Sequence, residues 1–492
     1  MALTAATVLL RLPAYFSAKH LTFDDGVFAS SILAMRDGGL PFRDVFSSQG
    51  PLFLPLVYLG DLVGFRTMDA PRIVPVLSGV IVVLAVHWAA LRFTDRIGAL
   101  IGAGLAATSG CLMWVTGPIA ADGPALAFAT LAFALGLRHR GRPTYPNAIL
   151  LGLAVGATLS NKAMEAPILL PVVLVLGAPI LDALRHRVVF GADLARAAVA
   201  GGVAALMFVA ISAPFGFADV WDQSFVYRNE ASNGAHPAAN AGKILSTLWD
   251  RDLVLLLFCA VALVFAVLAF RRTGSARVAI VDADDNWASA TSTPVAGWRP
   301  SSRLLVTSWV IVSALWLIVV VSPMWRAHVS AMIPPLALLV ALYRPPLKPA
   351  VVAAVVSIPL LFVQLDGLLL PGDYEGSEAE VVELLRGLPD GAWVLSDEPG
   401  LVWRAGHRTS DDLVDPSMLR VQQGRYTEQS LADAAADPRV CAVVVRSDDR
   451  FGHFPGLPDR LAAEGYEVAL RSSAAGGDAQ RVYVRQDCAP SG

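Results

Sequence analysis

Residues 22–39 read TFDDGVFASSILAMRDGG. Phe28, Ile32 and Met35 repeat at helical spacing, with Ala29, Ser30, Arg36 and Asp37 elsewhere around the wheel, and Gly38–Gly39 ends the pattern. The spacing predicts a short amphipathic helix suited to lying along a membrane interface. Two adjacent carboxylates, Asp24 and Asp25, open it. Before it lies an apolar run of about 2–18, and from residue 73 onward one apolar run follows another. The helix is thus the first polar break in a chain otherwise dominated by spans, and a second, strongly apolar segment at 49–64, with Pro51 near its first turn, is expected to form another interfacial helix in the same loop.

The 492 residues are 55% hydrophobic and 16% charged, with a mean hydropathy of +0.56. Soluble domains carry about 25% charged residues, so the deficit points to a bilayer protein. A net charge of −3 argues against a nucleic-acid footprint. Of the 38 basic residues only Lys19, Lys162, Lys243 and Lys348 are lysines; the Arg, Ala, Gly and Val bias suggests a GC-rich bacterial genome.

A bilayer-crossing helix needs about 20 apolar residues. Such runs lie near 73–91, 97–115, 120–137, 147–161, 166–184, 197–214, 252–270, 304–321, 328–343 and 349–370. With the opening run, read as a first span despite Arg11, the expectation is eleven. The fold class expected is therefore mainly α, a polytopic helical membrane protein. Alternate loops carry Arg92 and Arg96; Arg138, Arg140 and Arg142; Arg185 and Arg187; Arg271, Arg272 and Arg277; Arg344 and Lys348. By the positive-inside rule these are cytoplasmic. The N-terminus is then inside, and loops 19–72 and 215–250 and the tail are outside. The polar stretch 271–303 reads as a cytoplasmic linker.

Beyond about residue 370 the pattern changes. Strands are expected at 391–397, 440–447, 466–471 and 480–485, and helices at 377–388, 427–437 and 457–465. The alternation makes 371–492 a small α/β domain outside the membrane, with 1–370 the membrane domain. No GxGxxG or P-loop accompanies it. Cys111 and Cys259 lie in apolar runs; an extracytoplasmic tail permits a Cys441–Cys488 disulfide, but unpaired thiols are the expectation, because sequence fixes no geometry.

Asp is a favoured N-cap, worth about 1 kcal/mol, so one of Asp24 and Asp25 is expected to cap the helix that follows. Capping uses one acid; the other, at a partly desolvated edge, is suited to act as a base. Asp122, in AADGPALAF (120–128), has the same default as a cap, yet falls on the same outer side. So do Lys162 in TLSNKAMEAP (158–167) and Arg326 and His328 in SPMWRAHVSAMIPP (322–335). Lys162 and Arg326 suit a phosphate, for which Arg has bidentate geometry; a span-end cation also simply snorkels to water, and His328 alone reads more readily as a structural histidine. Loop 215–250 adds Trp221, Tyr227, Arg228, Asn229 and Glu230, side chains suited to a sugar, although an interfacial aromatic belt explains Trp221 and Trp249 equally well. In the tail, His407 and Asp411–Asp412 read as surface residues as readily as functional ones.

In this order, an acidic pair after the first span, GLPFRDVFSSQGPLFLPL (39–56), the acid in AADGPALAF, a Lys between spans and HVSAMIPPLALL (328–339) resemble the membrane-embedded C-type (GT-C) glycosyltransferases. The likeness is to glycosyltransferase family 39, the group around protein mannosyltransferases and aminoarabinose transferases. It covers about 1–370 and extends to the tail. It implies an inverting transferase moving a hexosyl or pentosyl unit from a polyprenyl-phosphate donor to a hydroxyl on a glycan, lipid or protein. The setting implied is the outer face of a bacterial plasma membrane. Asp24, with Asp25 beside it, takes the place of the base; Asp122, Lys162, Arg326, His328, Arg228 and Tyr227 become substrate-binding candidates. The family often has Asp-Glu where this chain has Asp-Asp, which leaves the choice within the pair open. No obligatory divalent metal and no cofactor beyond the lipid-linked donor are expected. The rival reading is a transporter or lipid-linked-sugar flippase. Such proteins place ionisable groups mid-span and carry inverted repeats, whereas here the acids cluster at span ends and the halves show no repeat.

Overall fold

The computed structural model describes residues 1–187, 189–230, 234, 236–273, 300–365, 371–473 and 479–488. Most of the 271–303 linker and the end of the 349–370 run lie outside the described residues. The chain is mainly helical, with a four-stranded sheet in its C-terminal part.

Among the described residues six helices are long and apolar enough to cross a bilayer: Ala70–Ala90, Ala163–His186, Gly191–Phe215, Pro237–Leu268, Ser302–Val319 and Arg326–Tyr343. Arg96–Thr108 and Gly110–Thr116 make a seventh if a pair bent by 59° is one span. The bend sits at Ser109, whose hydroxyl accepts from Leu112 N–H at 3.1 Å and so starts a new helix. Eleven runs were expected; the others form shorter or more polar helices. The opening run divides into Ala2–Leu9 and Leu12–Tyr15, with Pro13 in the first turn of the second, where a missing N–H is tolerated but a continuous helix is not. Tyr145–Asn161 has 17 residues, and Asp122–Gly141 carries an acid at one end and Arg138–Arg140 at the other. Gly191–Phe215, with 6% of its most apolar window buried, is apolar on faces that nothing in the protein covers, as a lipid-facing helix is.

The core runs through the bundle: Val82, Ala103, Leu126, Leu338 and Trp309 are almost fully buried, and Trp309 stacks on Phe133 at 4.8 Å. The two ends differ in charge. At one, Arg344 pairs with Asp95 at 2.7 Å, and Arg140 donates to Pro300 O at 2.7 Å and Ser302 Oγ at 3.0 Å, so the Arg-rich turns meet. At the other lie the acid-bearing loop, the turn before Asp122, Lys162, residues 222–230 and the tail.

In the tail, β1 (Trp393–Ser396) pairs parallel with β2 (Val440–Val445), and β4 (Ala479–Arg485) lies antiparallel between β2 and β3 (Tyr466–Ser473). Helices Ser377–Arg386, Glu428–Ala435 and Leu457–Ala463 flank the sheet. All fall where the alternating pattern put them. Cys441 and Cys488 are bonded, with Cα atoms 5.5 Å apart, which corrects the expectation of free thiols: the sheet brings the chain's end back onto β2. His407 is buried and hydrogen-bonded to Leu385 O at 2.6 Å and Ala392 O at 3.1 Å, a structural role.

Loop 19–72 forms helices Phe23–Arg36 and Phe53–Val63, and residues 25–32 of the first are buried within the protein. A tail helix invisible to the sequence reading, Pro399–Ala405, crosses it at Gly26 and Gly400. A Cβ at Gly26 would collide with the Gly400 backbone, so glycine at 26 lets the helices touch main chain to main chain, whereas a Cβ at Gly400 would meet the His20 side chain.

Candidate functional site

The two adjacent aspartates have separate surroundings. Neither caps its helix: the N-cap is Thr22, whose hydroxyl accepts from Asp25 N–H at 3.2 Å. This corrects the expected aspartate cap, and it leaves both carboxylates free for other partners. Asp25 is fully buried and bound. Arg72 Nη2 pairs with its Oδ2, and Arg72 Nε donates to Oδ1 at 3.3 Å. Ile119 N–H donates to Oδ1 at 2.8 Å and Leu21 N–H to Oδ2 at 2.9 Å. Burial alone would raise its carboxyl, but Arg72 and these amides outweigh burial and bring its pKa below the ordinary value. Arg72 in turn donates to Ala14 O at 2.9 Å, Ser17 O at 3.3 Å and Lys19 O at 2.8 Å. The pair is a tie between four chain segments.

Asp24, one residue earlier, is exposed where Asp25 is buried, and the charges that act on it are those of Lys162, Asp122, Asp415 and Arg228. Desolvation in that setting pushes its pKa up to about 6; the positive charges of Lys162 and Arg228 pull it down, and Asp122 and Asp415 push it up. A carboxyl with such a pKa is ionised at neutral pH and basic enough to take a proton.

Among these charged groups, Lys162 Nζ bonds Asp122 Oδ2 at 2.7 Å, both side chains buried. Asp122 is the first residue of its helix, not its cap, since Ala121 occupies that position without a side-chain bond; that expectation too is corrected. Lys162 ends the Tyr145–Asn161 helix in extended conformation. The SSQGP stretch holds it there: Gly50 N–H donates to Asn161 O at 2.9 Å and Leu52 N–H to Ser160 O at 2.8 Å. A Cβ at Gly50 would collide with Ser160 O, so this docking requires glycine. Asp122 Oδ1, Ser160 Oγ, Asn161 Oδ1 and Ser47 Oγ are buried without a hydrogen-bond partner among the described residues. They are groups on which a polar ligand can bond.

His328 is buried, its Nδ1 accepts from Trp325 N–H at 3.3 Å, and it faces Lys162 and Asp122. Arg228 donates to Ser48 O and Ser48 Oγ, both at 3.2 Å, and Tyr227 OH lies 3.4 Å from Ser417 Oγ. Residues 227–228 therefore bridge the first outer loop and the tail. Arg326 does not join them: half-exposed, it pairs with Asp250 at 3.1 Å. Two acids escaped the sequence reading. Glu165 is buried within reach of Asp122 and Lys162, and its place three residues after Lys162 was the available signal. Asp415 reaches Asp24 from the tail, and no local pattern marks it. Among the described residues no group of three or more His, Cys, Asp or Glu is placed to hold a metal ion.

No family model matches the chain, and no curated protein does. Solved structures do. ArnT from Cupriavidus metallidurans bound to undecaprenyl phosphate is 15% identical with a TM-score of 0.58, over 98% of this chain and 97% of that one. The oligosaccharyltransferase AglB from Archaeoglobus fulgidus, in complex with an inhibitory peptide and a dolichol-phosphate, is 11% identical at 0.56, over 98% and 73%. The arabinofuranosyltransferase AftD from Mycobacteria is 15% identical at 0.50, over 98% and 41%. The chain shares their GT-C fold.

Proposed function

We propose that the protein is an inverting glycosyltransferase that moves a sugar from a polyprenyl-phosphate carrier to a hydroxyl acceptor at the outer face of a bacterial plasma membrane. The carrying observation is the division of labour at residues 24 and 25. One carboxylate is locked by Arg72, and the other is exposed within the electrostatic reach of two cations, Lys162 and Arg228. The likeness to proteins solved with undecaprenyl phosphate and dolichol-phosphate supports the donor class.

Asp24 takes the proton of the acceptor hydroxyl as its oxygen bonds the anomeric carbon from the face opposite the phosphate. The bond from that carbon to the phosphate oxygen breaks, and its electrons leave with the carrier, which gains a negative charge. Lys162 and Arg228 compensate that charge, and fixed cations in a partly dry site do so at no reorganisation cost. A phosphate leaves without protonation, so the second carboxylic acid of a glycosidase is not required. Asp122 holds Lys162; His328 and Tyr227 complete the walls. The reading places the N-terminus inside and loops 19–72 and 215–250 and the tail outside, and it requires no divalent metal.

The test supplies purified protein in lipid nanodiscs with polyprenyl phosphate carrying a labelled hexose or pentose, and with glycan, lipid and peptide acceptors. Label should leave the carrier with wild-type protein, with and without EDTA. It should stay on the carrier with an Asp24→Asn variant of unchanged melting temperature. Normal transfer by that variant overturns the assignment of the base.

A further inference from the structure

The tail helix Pro399–Ala405 touches the acid-bearing loop at the points that fix its aspartates. Trp403 is 1% exposed and belongs to one buried cluster with Val27, Phe28, Ile32, Phe53, Ile119 and Ala121. That cluster includes the residue whose N–H holds Asp25 and the residue before Asp122. The guanidinium of Arg72 lies over the Trp403 ring at 5.2 Å, and that of Arg404 at 3.9 Å. Arg404 also pairs with Asp69 at 2.9 Å, and Arg72 reaches the same oxygen at 3.7 Å. Ser30 Oγ donates to Pro399 O at 3.3 Å, one turn beyond the Gly26–Gly400 crossing.

We infer that Trp403 is a positioning residue for Asp24: by covering Arg72 it holds the Arg72–Asp25 pair dry and in register, and so fixes the direction of the neighbouring carboxylate. The physical argument is dielectric. A guanidinium–carboxylate pair is strong and fixed in geometry when water is kept away and loosens when water enters. The indole is the cover on the tail side, adding a cation–π contact to the exclusion of water. Asp24 follows because it precedes Asp25 on the same helical turn, and a shift of about 1 Å at a reacting group costs up to about a hundredfold in rate. This makes part of the tail a component of the catalytic apparatus, beyond recognition of the acceptor. It rests on the transferase reading for its kinetic consequence but not for its geometry.

The experiment uses the full chain in nanodiscs, with Trp403→Ala and Trp403→Phe, and two readouts. The first is the pH dependence of carbodiimide labelling at Asp24, read by mass spectrometry, which needs no turnover. It reports a carboxyl faced by Lys162, Asp122, Asp415 and Arg228. The second is transfer from the labelled carrier, with kcat and KM separated. Trp403→Ala should move the labelling midpoint and lower kcat by about ten- to a hundredfold with KM for the carrier little changed. Trp403→Phe, which keeps an apolar ring on Arg72, should restore both. A displaced midpoint in a protein that transfers no sugar, wild type included, upholds the clasp and overturns the transferase reading. Trp403→Ala with a wild-type midpoint and kcat overturns the clasp. So does a Trp403→Phe variant that folds yet remains as impaired as Trp403→Ala.

Discussion

At the scale of single residues, two neighbouring aspartates of the same type have opposite jobs, and their substitutions should separate them. Asp25→Asn leaves the buried Arg72 guanidinium with only the more distant Asp69 carboxylate at 3.7 Å, a change that costs up to about 3–5 kcal/mol; a fall in melting temperature and a loss of folded protein are expected. Asp24→Asn should not lower it. The fold raises the Asp24 pKa to about 6, so the ionised form is the disfavoured one, and the stability Asp24 contributes declines as pH rises from its unfolded pKa toward 6. At neutral pH a neutral amide there is tolerated, while transfer is lost. Because the base works only when ionised, the transfer rate should rise with pH through about 6 and level off above it. A rate that falls across that interval would contradict Asp24 as base. The acidic pair itself was legible in the sequence. Which member was free was not, because Arg72 lies 47 residues away and Ile119 94 residues away, and nothing local to residue 25 announces them.

At the scale of elements, the site depends on irregular junctions more than on whole helices. Residues 47–52 lie on the broken end of the Tyr145–Asn161 helix through main-chain bonds to Ser160 and Asn161, directly before Lys162. Gly50→Ala places a methyl group against the Ser160 carbonyl, backbone that cannot move aside as a flexible side chain would. Over-packing of this kind costs about 1–3 kcal/mol. A lowered melting temperature is expected together with a higher KM for the lipid-linked donor, because Lys162 moves with its neighbours. Unchanged KM and stability would mean that the loop docks otherwise. Sequence periodicity located the two outer-loop helices, but it set the first of them on a membrane interface. Its apolar stripe is covered by protein because the tail contributes Trp403 and its helix to the same cluster. A hydrophobic stripe states that something apolar covers it and never says whether that is lipid or protein.

At the scale of the whole molecule, the tail is joined to the membrane part by charged contacts as well as by packing: Arg404–Asp69, Arg408–Asp37 and Arg425–Glu230. Inside the tail, the Cys441–Cys488 bond closes a loop over a separation of 47 residues, which stabilises by about 4 kcal/mol if unfolded-chain entropy dominates. Reduction with dithiothreitol should therefore lower the melting temperature of the tail and expose β3 and β4 to protease, with transfer declining in parallel because Trp403 and Asp415 belong to the tail. An unaltered proteolysis pattern under reduction would show the bond to be structurally idle. A persistent disulfide also suits an oxidising compartment, the one that the proposed orientation gives the tail.

The amino-acid sequence alone determined the mainly helical class, the apolar runs, the alternation of Arg-rich turns and the α/β character of the tail. Each of these is a periodicity or a composition, written along the chain and readable at short range. Tertiary structure alone decided that Asp25 is bound and Asp24 exposed, that Arg228 rather than Arg326 acts on Asp24 together with Lys162, that Asp415 does so from the tail and that Cys441 meets Cys488. Each depends on groups far apart in sequence being brought within a few ångströms, and side-chain partners at that range leave no trace in local pattern. The acidic stretch at 22–28 marked where to look, and the fold assigned its two carboxylates.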